Sequence, residues 1–130
     1  MSKITIHSDI SNISLVEKLI DDLSQQYAFH SDVYGKLLLA VVEGVNNAIV
    51  HGNKMVAEKK VSISYAVESN RILFTISDEG EGFDHTVLPD PTTPENIERT
   101  HGRGVFLMKH LADELAFSDK GNEVKLTFKF

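Results

Sequence analysis

Strict alternation of apolar and polar residues predicts β-strands in three parts of the chain. The first part is a short run near the N-terminus, KITIHS. The second is a pair of runs, VSISYAV and RILFTIS, which the turn ESNR joins into a hairpin. The third is the end of the chain, where the turn DKGN precedes the run EVKLTFKF. Each of these runs predicts a strand with one apolar side.

Apolar residues at helical spacing predict three helices. The first starts with Ser14 and Glu17, whose separation of three residues is typical of a capping box. The second starts at Ser31 as its N-cap and runs to about Gly52, whose φ freedom suits a C-terminal cap. The third covers GVFLMKHLADEL, where the apolar spacing continues to Leu115. The order β-α-α-β-β-loop-α-β-β predicts an α+β two-layer sandwich with its helices on one face of the sheet.

In the segment between the hairpin and the third helix, the apolar residues have no regular spacing. Its sequence, HTVLPDPTTPENIERTH, contains all three prolines of the chain. It is predicted to be a loop of roughly twenty residues, and loops of that length are usually functional lids or disordered segments. Its place directly before a glycine-rich helix suits a flap that closes on a bound ligand.

Composition and charge limit the classes of protein to which this chain could belong. With 130 residues, the chain fits one domain, expected to span residues 1 to 130. The net charge of -6 argues against a general affinity for nucleic acid or for an anionic membrane. The absence of cysteine excludes disulfides and thiolate metal sites. No apolar run approaches the ~20 residues of a membrane span, so a cytoplasmic protein is expected.

The second helix contains a polar triplet within an apolar sequence, VVEGVNNAIVHGN. Glu43, Asn47 and His51 recur every four residues and therefore share one helix face. A solvated polar face is the simplest interpretation. The apolar neighbours argue against it, because polar groups beside a core need partners. Gly44 lowers helix propensity without marking a turn, which suggests that another element packs closely there.

The stretch DEGEGFD follows a predicted strand and places Asp78, Gly80 and Gly82 at even spacing. A simple turn would explain these residues, because Asp and Gly are common in turns. The functional interpretation is that Asp78 accepts a hydrogen bond from an exocyclic amine such as that of adenine. The two glycines would then let a flat ring lie against the backbone. On this interpretation the carboxylate contacts the base and stays away from the phosphates.

The stretch THGRGVFLM opens the third helix with Gly102 and Gly104. A helix N-terminus offers free N–H groups and the positive end of the helix dipole to a phosphate. Arg99 and Arg103 flank this position. An ordinary helix start with a mobile glycine is the alternative interpretation.

These three stretches, in this order, resemble the N, G1 and G2 boxes of the GHKL superfamily of ATP-binding domains. The motifs are E-x-x-x-N, D-x-G-x-G-F and H-G-R-G-V-F-L-M, and the resemblance spans roughly residues 4 to 130. It is strongest to the bacterial anti-sigma-factor serine/threonine kinases of the RsbW type. The resemblance implies the Bergerat (GHKL ATPase) fold, a two-layer α/β sandwich whose sheet is mixed and mostly antiparallel.

The resemblance also implies a role for each matched residue. Glu43 would be the catalytic base, and Asn47 would hold the Mg²⁺ that bridges the ATP phosphates. Asp78 would bind the adenine amine, and residues 84 to 101 would form the ATP lid. The remaining matched residues would shape the adenine pocket or contact the phosphates: Gly80, Gly82, Gly102 and Gly104. The family places an arginine against the terminal phosphate, and both Arg99 and Arg103 are candidates, of which Arg103 is favoured.

The resemblance implies an ATP- and Mg²⁺-dependent protein serine kinase in a partner-switching pathway that regulates transcription. Its protein substrate would be a STAS-type anti-sigma-factor antagonist, and a sigma factor is a second candidate partner. Related proteins often form homodimers. The alternatives are a nucleotide-gated binding module without kinase activity, the catalytic domain of a histidine kinase, and a structural protein without nucleotide. The histidine kinase is disfavoured because the sequence offers neither a dimerisation helix pair nor a histidine followed by Glu or Asp.

Overall fold

The protein has one layer of strands and one layer of helices in a computed structural model that describes residues 2–80 and 100–130. The strands are β1 (Ser2–His7), β2 (Lys60–Glu68), β3 (Arg71–Ser77), β4 (Glu114–Phe117) and β5 (Glu123–Lys129). The helices are α1 (Ile13–Tyr27), α2 (Ser31–Asn47) and α3 (Thr100–Leu111). A π-helical segment, Ala48–Gly52, extends α2. The predicted α+β sandwich and its element order are confirmed.

The five strands form one sheet in the order β1-β2-β3-β5-β4, and all four described pairings are antiparallel, so the described sheet is antiparallel throughout and not mixed. The last strand therefore inserts between β3 and β4. Its register places Leu126 opposite Phe74 and Val124 opposite Ile76, and all four side chains are buried. Because side chains alternate along a strand, these pairs put one continuous apolar face against the helices.

Helix α2 lies at the centre of the helical layer and contacts α1, α3 and the sheet. Its residues Leu37, Val41 and Val45 are fully buried in the same core as the strands. By length and composition alone, the helical stretch Ser31–Gly52, with 22 residues, could cross a membrane. The core helix of a soluble protein passes the same test, so this property is weak evidence for a membrane span.

The start of the first helix differs from the prediction. A short 3-10 turn, Ile10–Asn12, precedes α1, and its cap is Asp9, whose Oδ1 accepts a hydrogen bond from the Ser11 N–H at 2.9 Å. Ser14 already lies inside α1, and its hydroxyl donates to the Ser11 carbonyl. The predicted capping box of Ser14 and Glu17 is therefore wrong, because an upstream aspartate fixes the chain one turn earlier.

The end of the third helix also differs from the prediction. α3 ends at Leu111, and Leu115 lies in β4. Asp113 explains the change, because its N–H donates to the Thr127 carbonyl at 2.8 Å and its carboxylate accepts from the Lys129 N–H at 2.7 Å. The edge of β5 offers these partners, and pairing with it replaces further turns of helix.

Candidate functional site

A cavity of about 290 Å³ opens between the helical layer and the sheet. Its lining comes from α2 with its π-helical extension, from α3, from the end of β3, and from the turn between β4 and β5. Two of the predicted site residues line it, Asn47 and Asp78. A π-helical turn inside or after an α-helix is frequent at functional sites. Within the part of the chain that the structure describes, this cavity is therefore the candidate ligand site.

Asn47 faces this cavity from the last turn of α2. The residue is 8% exposed, and neither its side-chain amide oxygen nor its side-chain amide nitrogen has a hydrogen-bond partner among the described residues. Buried polar atoms are nearly always paired, because leaving one unpaired lowers stability. A solvated polar face therefore does not describe Asn47. The Asn47 amide is suited to a ligand that enters the cavity.

Glu43 lies one turn before Asn47 on α2 and is half-buried. The backbone of α3 passes close to both side chains at Gly104. A Cβ at that position would lie 2.9 Å from Asn47 Nδ2 and 3.1 Å from Glu43 Oε2. Contacts this short require a shift of one partner, so Gly104 allows α3 to lie against the two polar groups. The structure thus brings Glu43, Asn47 and Gly104 together.

Asp78 stands where β3 ends, on the sheet side of the cavity. Its backbone is fixed by Asn122, since the Asp78 N–H donates to the Asn122 carbonyl at 2.9 Å and Asn122 Nδ2 donates to the Asp78 carbonyl at 3.1 Å. Burial raises the pKa of the Asp78 carboxyl, although the Gly80 N–H, which donates to Oδ1 at 2.8 Å, acts in the opposite direction. The chain therefore holds a partly desolvated carboxylate in a fixed position.

Two glycines pack around the Asp78 carboxylate. A Cβ at Gly52 would overlap Asp78 Oδ2 and lie 2.7 Å from Oδ1. A Cβ at Gly80 would overlap the Gly52 carbonyl, whose carbon would lie 2.5 Å away. Gly80 does not line the cavity, so its small size serves the contact with Gly52. The two glycines let the end of the π-helical segment and the loop after β3 touch.

The prediction for Gly52 needs a correction, whereas that for Gly44 is confirmed. Gly52 is not a C-terminal cap with a left-handed φ, since Gly121 is the glycine with positive φ among the described residues. Its requirement is steric and comes from Asp78. At Gly44 a Cβ would lie 2.7 Å from Ile76 Cδ1 and 3.2 Å from Met108 Sδ, so β3 and α3 do pack closely against mid-helix α2.

Two residues near Asp78, Asn53 and Asn122, escaped the sequence interpretation, which also missed the contact of Gly52 with Asp78. Asn53 and Asn122 follow glycines and are ordinary turn residues by sequence. Their hydrogen bonds to the loop after β3 join residues 26 and 44 positions apart. A local sequence pattern carries no signal for contacts at that separation. The two asparagines stand in the segments HGN and KGN, which offer only this local pattern.

Several predicted residues lie outside the described part of the chain. These are Gly82 and Arg99, together with residues 84 to 99 of the expected ATP lid. α3 begins at Thr100, two residues before the predicted opening at Gly102, so residues 100 and 101 of the expected lid are helical, and Gly102 and Arg103 lie in the first turn. The choice between Arg99 and Arg103 for the terminal phosphate therefore stays a prediction.

Comparison with known proteins gives the family. Residues 6–128 match the family described as a histidine kinase-like ATPase domain. The anti-sigma F factor of Bacillus subtilis (strain 168) is 32% identical over 102 residues, which cover 74% of this chain and 69% of that protein. The serine-protein kinase RsbW of Staphylococcus epidermidis is 36% identical over 84 residues, which cover 59% of this chain and 53% of that kinase. The match therefore spans about half the length of that kinase.

A solved structure agrees with the family assignment at the level of the fold. The histidine kinase domain of the Erythrobacter litoralis EL346 blue-light activated histidine kinase superposes with a TM-score of 0.54. The superposition covers 92% of this chain and 60% of that chain, with 19% sequence identity. The family match, the curated relatives and this shared fold lead to one conclusion. The chain belongs to the histidine kinase-like ATPase domains of the GHKL superfamily and is similar to anti-sigma F factor and RsbW.

Proposed function

We propose that this chain is an ATP- and Mg²⁺-dependent protein serine kinase of the anti-sigma-factor type. Its substrate is a serine of a STAS-type anti-sigma-factor antagonist, with a sigma factor as second partner and the cytoplasm as its setting. The observation that carries the proposal is the buried Asn47 amide, which has no hydrogen-bond partner among the described residues and lies beside Glu43 under Gly104. The names of the similar proteins, anti-sigma F factor and serine-protein kinase RsbW, support it.

The cavity has two chemically different ends, which suit the two ends of a nucleotide. At the sheet end the Asp78 carboxylate repels phosphate and accepts a hydrogen bond from the adenine amine. At the helical end, the first turn of α3 offers backbone N–H groups and the positive end of the helix dipole. The phosphates therefore lie toward α3, where Gly102, Gly104 and one of Arg99 and Arg103 are the proposed contacts.

The residues around Asn47 would suit a magnesium ion. No cluster of three or more His, Cys, Asp or Glu that could hold a metal exists among residues 2–80 and 100–130. Mg²⁺ prefers oxygen ligands and usually takes one or two from the protein and the others from phosphates and water. The partnerless Asn47 amide oxygen supplies one such ligand. When bound there, Mg²⁺ neutralises charge on the phosphates.

Glu43 is the proposed general base for the incoming serine. In the proposed reaction the serine hydroxyl oxygen forms a bond to the γ-phosphorus, the bond to the β-phosphate oxygen breaks, and ADP leaves. The hydroxyl proton passes to the Glu43 carboxylate. Phosphoryl transfer depends mainly on positioning and on charge neutralisation, so one base beside a metal ligand is a sufficient set of protein groups.

The experiment that tests the kinase proposal is incubation with labelled ATP, Mg²⁺ and a STAS-type protein. We expect label on a serine of the STAS-type protein, and no transfer when Mg²⁺ is chelated. Nucleotide binding without any transfer would contradict the kinase proposal. That outcome would favour a nucleotide-gated binding module, whose affinity for a partner depends on the bound nucleotide.

Replacement of Asp78 with asparagine is expected to change affinity and stability in opposite directions. Asp78→Asn places an NH₂ group against the adenine amine and should weaken ATP binding by about 1–3 kcal/mol. Because burial raises the pKa of Asp78, the folded chain binds this proton more tightly than the unfolded chain does. The ionised carboxylate therefore lowers the free energy of unfolding as the pH rises through that pKa. Asp78→Asn should make the nucleotide-free chain more stable at pH 7.

Calorimetry and thermal unfolding at several pH values measure both effects. The stability gained by Asp78→Asn should fade as the pH falls below the raised pKa, since wild-type Asp78 is then neutral as well. ATP binding by the wild type should weaken over the same pH range. Unchanged ATP affinity in Asp78→Asn would remove Asp78 from base recognition.

A further inference from the structure

Asn53 is a fully buried polar residue that directly follows the π-helical segment, with an exposed fraction of 0%. Both donors of its side-chain amide nitrogen and the amide oxygen have hydrogen-bond partners in other segments. Its Nδ2 donates to Ser8 Oγ at 2.7 Å and to the Lys60 carbonyl at 3.0 Å, and its Oδ1 accepts from the Glu79 N–H at 2.8 Å. One side chain thus joins the end of β1, the start of β2 and the loop after β3.

The hydrogen bond from the Glu79 N–H to Asn53 Oδ1 involves the peptide group between Asp78 and Glu79. The carbonyl of that peptide accepts from Asn122 Nδ2 at 3.1 Å, and its N–H donates to Asn53 Oδ1 at 2.8 Å. Two asparagine side chains therefore bind opposite ends of one peptide plane. The Glu79 side chain adds a third hydrogen bond, in which its carboxylate accepts from the Lys60 N–H.

A peptide plane held at both ends cannot turn, and its orientation fixes ψ of Asp78. Together with φ and ψ of Glu79, this ψ sets the position of the Gly80 N–H, which donates to Asp78 Oδ1 at 2.8 Å. A hydrogen bond weakens steeply with misalignment, so a carboxylate that selects one base must point in one direction. Asn53 itself does not line the cavity. Any influence on a bound base must therefore pass through the loop that carries Asp78.

We propose that Asn53 is a positioning residue for base selectivity. By binding the Glu79 N–H, it holds the Asp78 carboxylate in the direction that accepts an adenine amine and disfavours the guanine carbonyl. This inference rests on the proposed function, in which Asp78 contacts the base of ATP. It adds to the selectivity of the site a residue that lies six positions after Asn47, beyond the E-x-x-x-N pattern.

A purely structural role for Asn53 predicts a different pattern, and Ser8 provides the matched control. Ser8 is also buried, at 1% exposure, and its hydroxyl accepts from Asn53 Nδ2 and donates to the Lys59 carbonyl at 2.8 Å. Ser8→Ala breaks the same network on the side remote from Asp78. Both Ser8→Ala and Asn53→Ala leave buried polar groups unpaired and should lower the melting temperature. Only Asn53→Ala removes the partner of the Glu79 N–H.

The test is the ratio of ATP affinity to GTP affinity, measured by calorimetry with Mg²⁺ for the wild type, Asn53→Ala and Ser8→Ala. We expect Asn53→Ala to reduce the ratio about 3- to 10-fold, through weaker ATP binding with GTP binding unchanged. Ser8→Ala should keep the wild-type ratio despite its lower stability. A wild-type ratio in Asn53→Ala would overturn the inference. An equal loss of selectivity in both variants would also overturn it.

A second measurement covers the case in which Asn53→Ala does not fold. Hydrogen exchange at the Glu79 amide of the nucleotide-free wild type should be slow, because that N–H is bonded to Asn53. Exchange at the rate of a free amide would overturn the inference without any variant. Failure of the proposed function gives a distinct result. A wild type without preference for ATP over GTP would remove Asp78 as the base contact and the inference with it, whatever the Glu79 amide shows.

Discussion

Replacement of Glu43 with alanine is expected to slow serine phosphorylation by about 10²–10⁴-fold while ATP affinity stays near that of the wild type. Glu43 is proposed to take the proton of the serine hydroxyl, a group that arrives with the protein substrate. It is not proposed to contact the nucleotide in the resting complex. The loss should therefore appear in the rate of transfer and leave ATP binding largely intact.

Asn47→Ala is the control that separates the base from the metal ligand, because Asn47 lies one turn away on the same helix. Removal of its amide oxygen should impair Mg²⁺-dependent ATP binding and phosphoryl transfer together. Glu43→Gln keeps the size of the side chain and should lose transfer as Glu43→Ala does. Thermal unfolding of each variant verifies that the chain is folded. A Glu43→Ala chain that phosphorylates its partner at the wild-type rate would contradict the catalytic role.

Replacement of Gly52 with alanine is expected to weaken ATP binding by about 5- to 150-fold. The new Cβ would overlap Asp78 Oδ2 and lie 2.7 Å from Oδ1. The backbone of Asp78 cannot retreat easily, since Asn122 binds both its N–H and its carbonyl. The carboxylate must therefore rotate out of the position that is proposed to contact the base.

Gly35→Ala is the matched control for this prediction. Gly35 lies in α2, and a Cβ there would have no neighbour within 4 Å. Because alanine favours a helix over glycine by about 1 kcal/mol, this substitution should leave ATP affinity unchanged and make the chain slightly more stable. Calorimetry with ATP measures the two affinities. Wild-type affinity in Gly52→Ala would mean that the Asp78 carboxylate does not contact the nucleotide.

Most of the fold was predictable from the period of apolar residues, because that period reports which face of an element is buried. The strands around Phe74 and Leu126 and the buried side of α2 follow from it directly. The errors lie at element ends. In the sequence, the helical spacing of apolar residues continues to Leu115. In the structure, Asp113 forms hydrogen bonds with the edge of β5, and a strand follows in place of further helix. The place of β5 between β3 and β4 is a property of the assembled sheet, on which a local period carries no information.

The candidate site was predictable where its residues share one element and less so where they meet across elements. Helical spacing alone puts Glu43 and Asn47 on one face, and the structure places Gly104 against both. The surroundings of Asp78 depend on Gly52, Asn53 and Asn122, which reach it from other segments. The steric need for Gly52 exists only once the loop after β3 lies on the π-helical segment. No pattern in the sequence reports that contact.

The central claim is that an adenine-nucleotide site lies between Asn47 and Asp78. A calorimetric titration of the wild-type chain tests this claim most directly. ATP and GTP are titrated separately in the presence of Mg²⁺, and ATP is titrated again after chelation of the metal. The account predicts that ATP binds, that GTP binds much more weakly, and that chelation weakens ATP binding because Asn47 loses the ion it shares with the phosphates. Absence of ATP binding, or equal affinity for ATP and GTP, would contradict it.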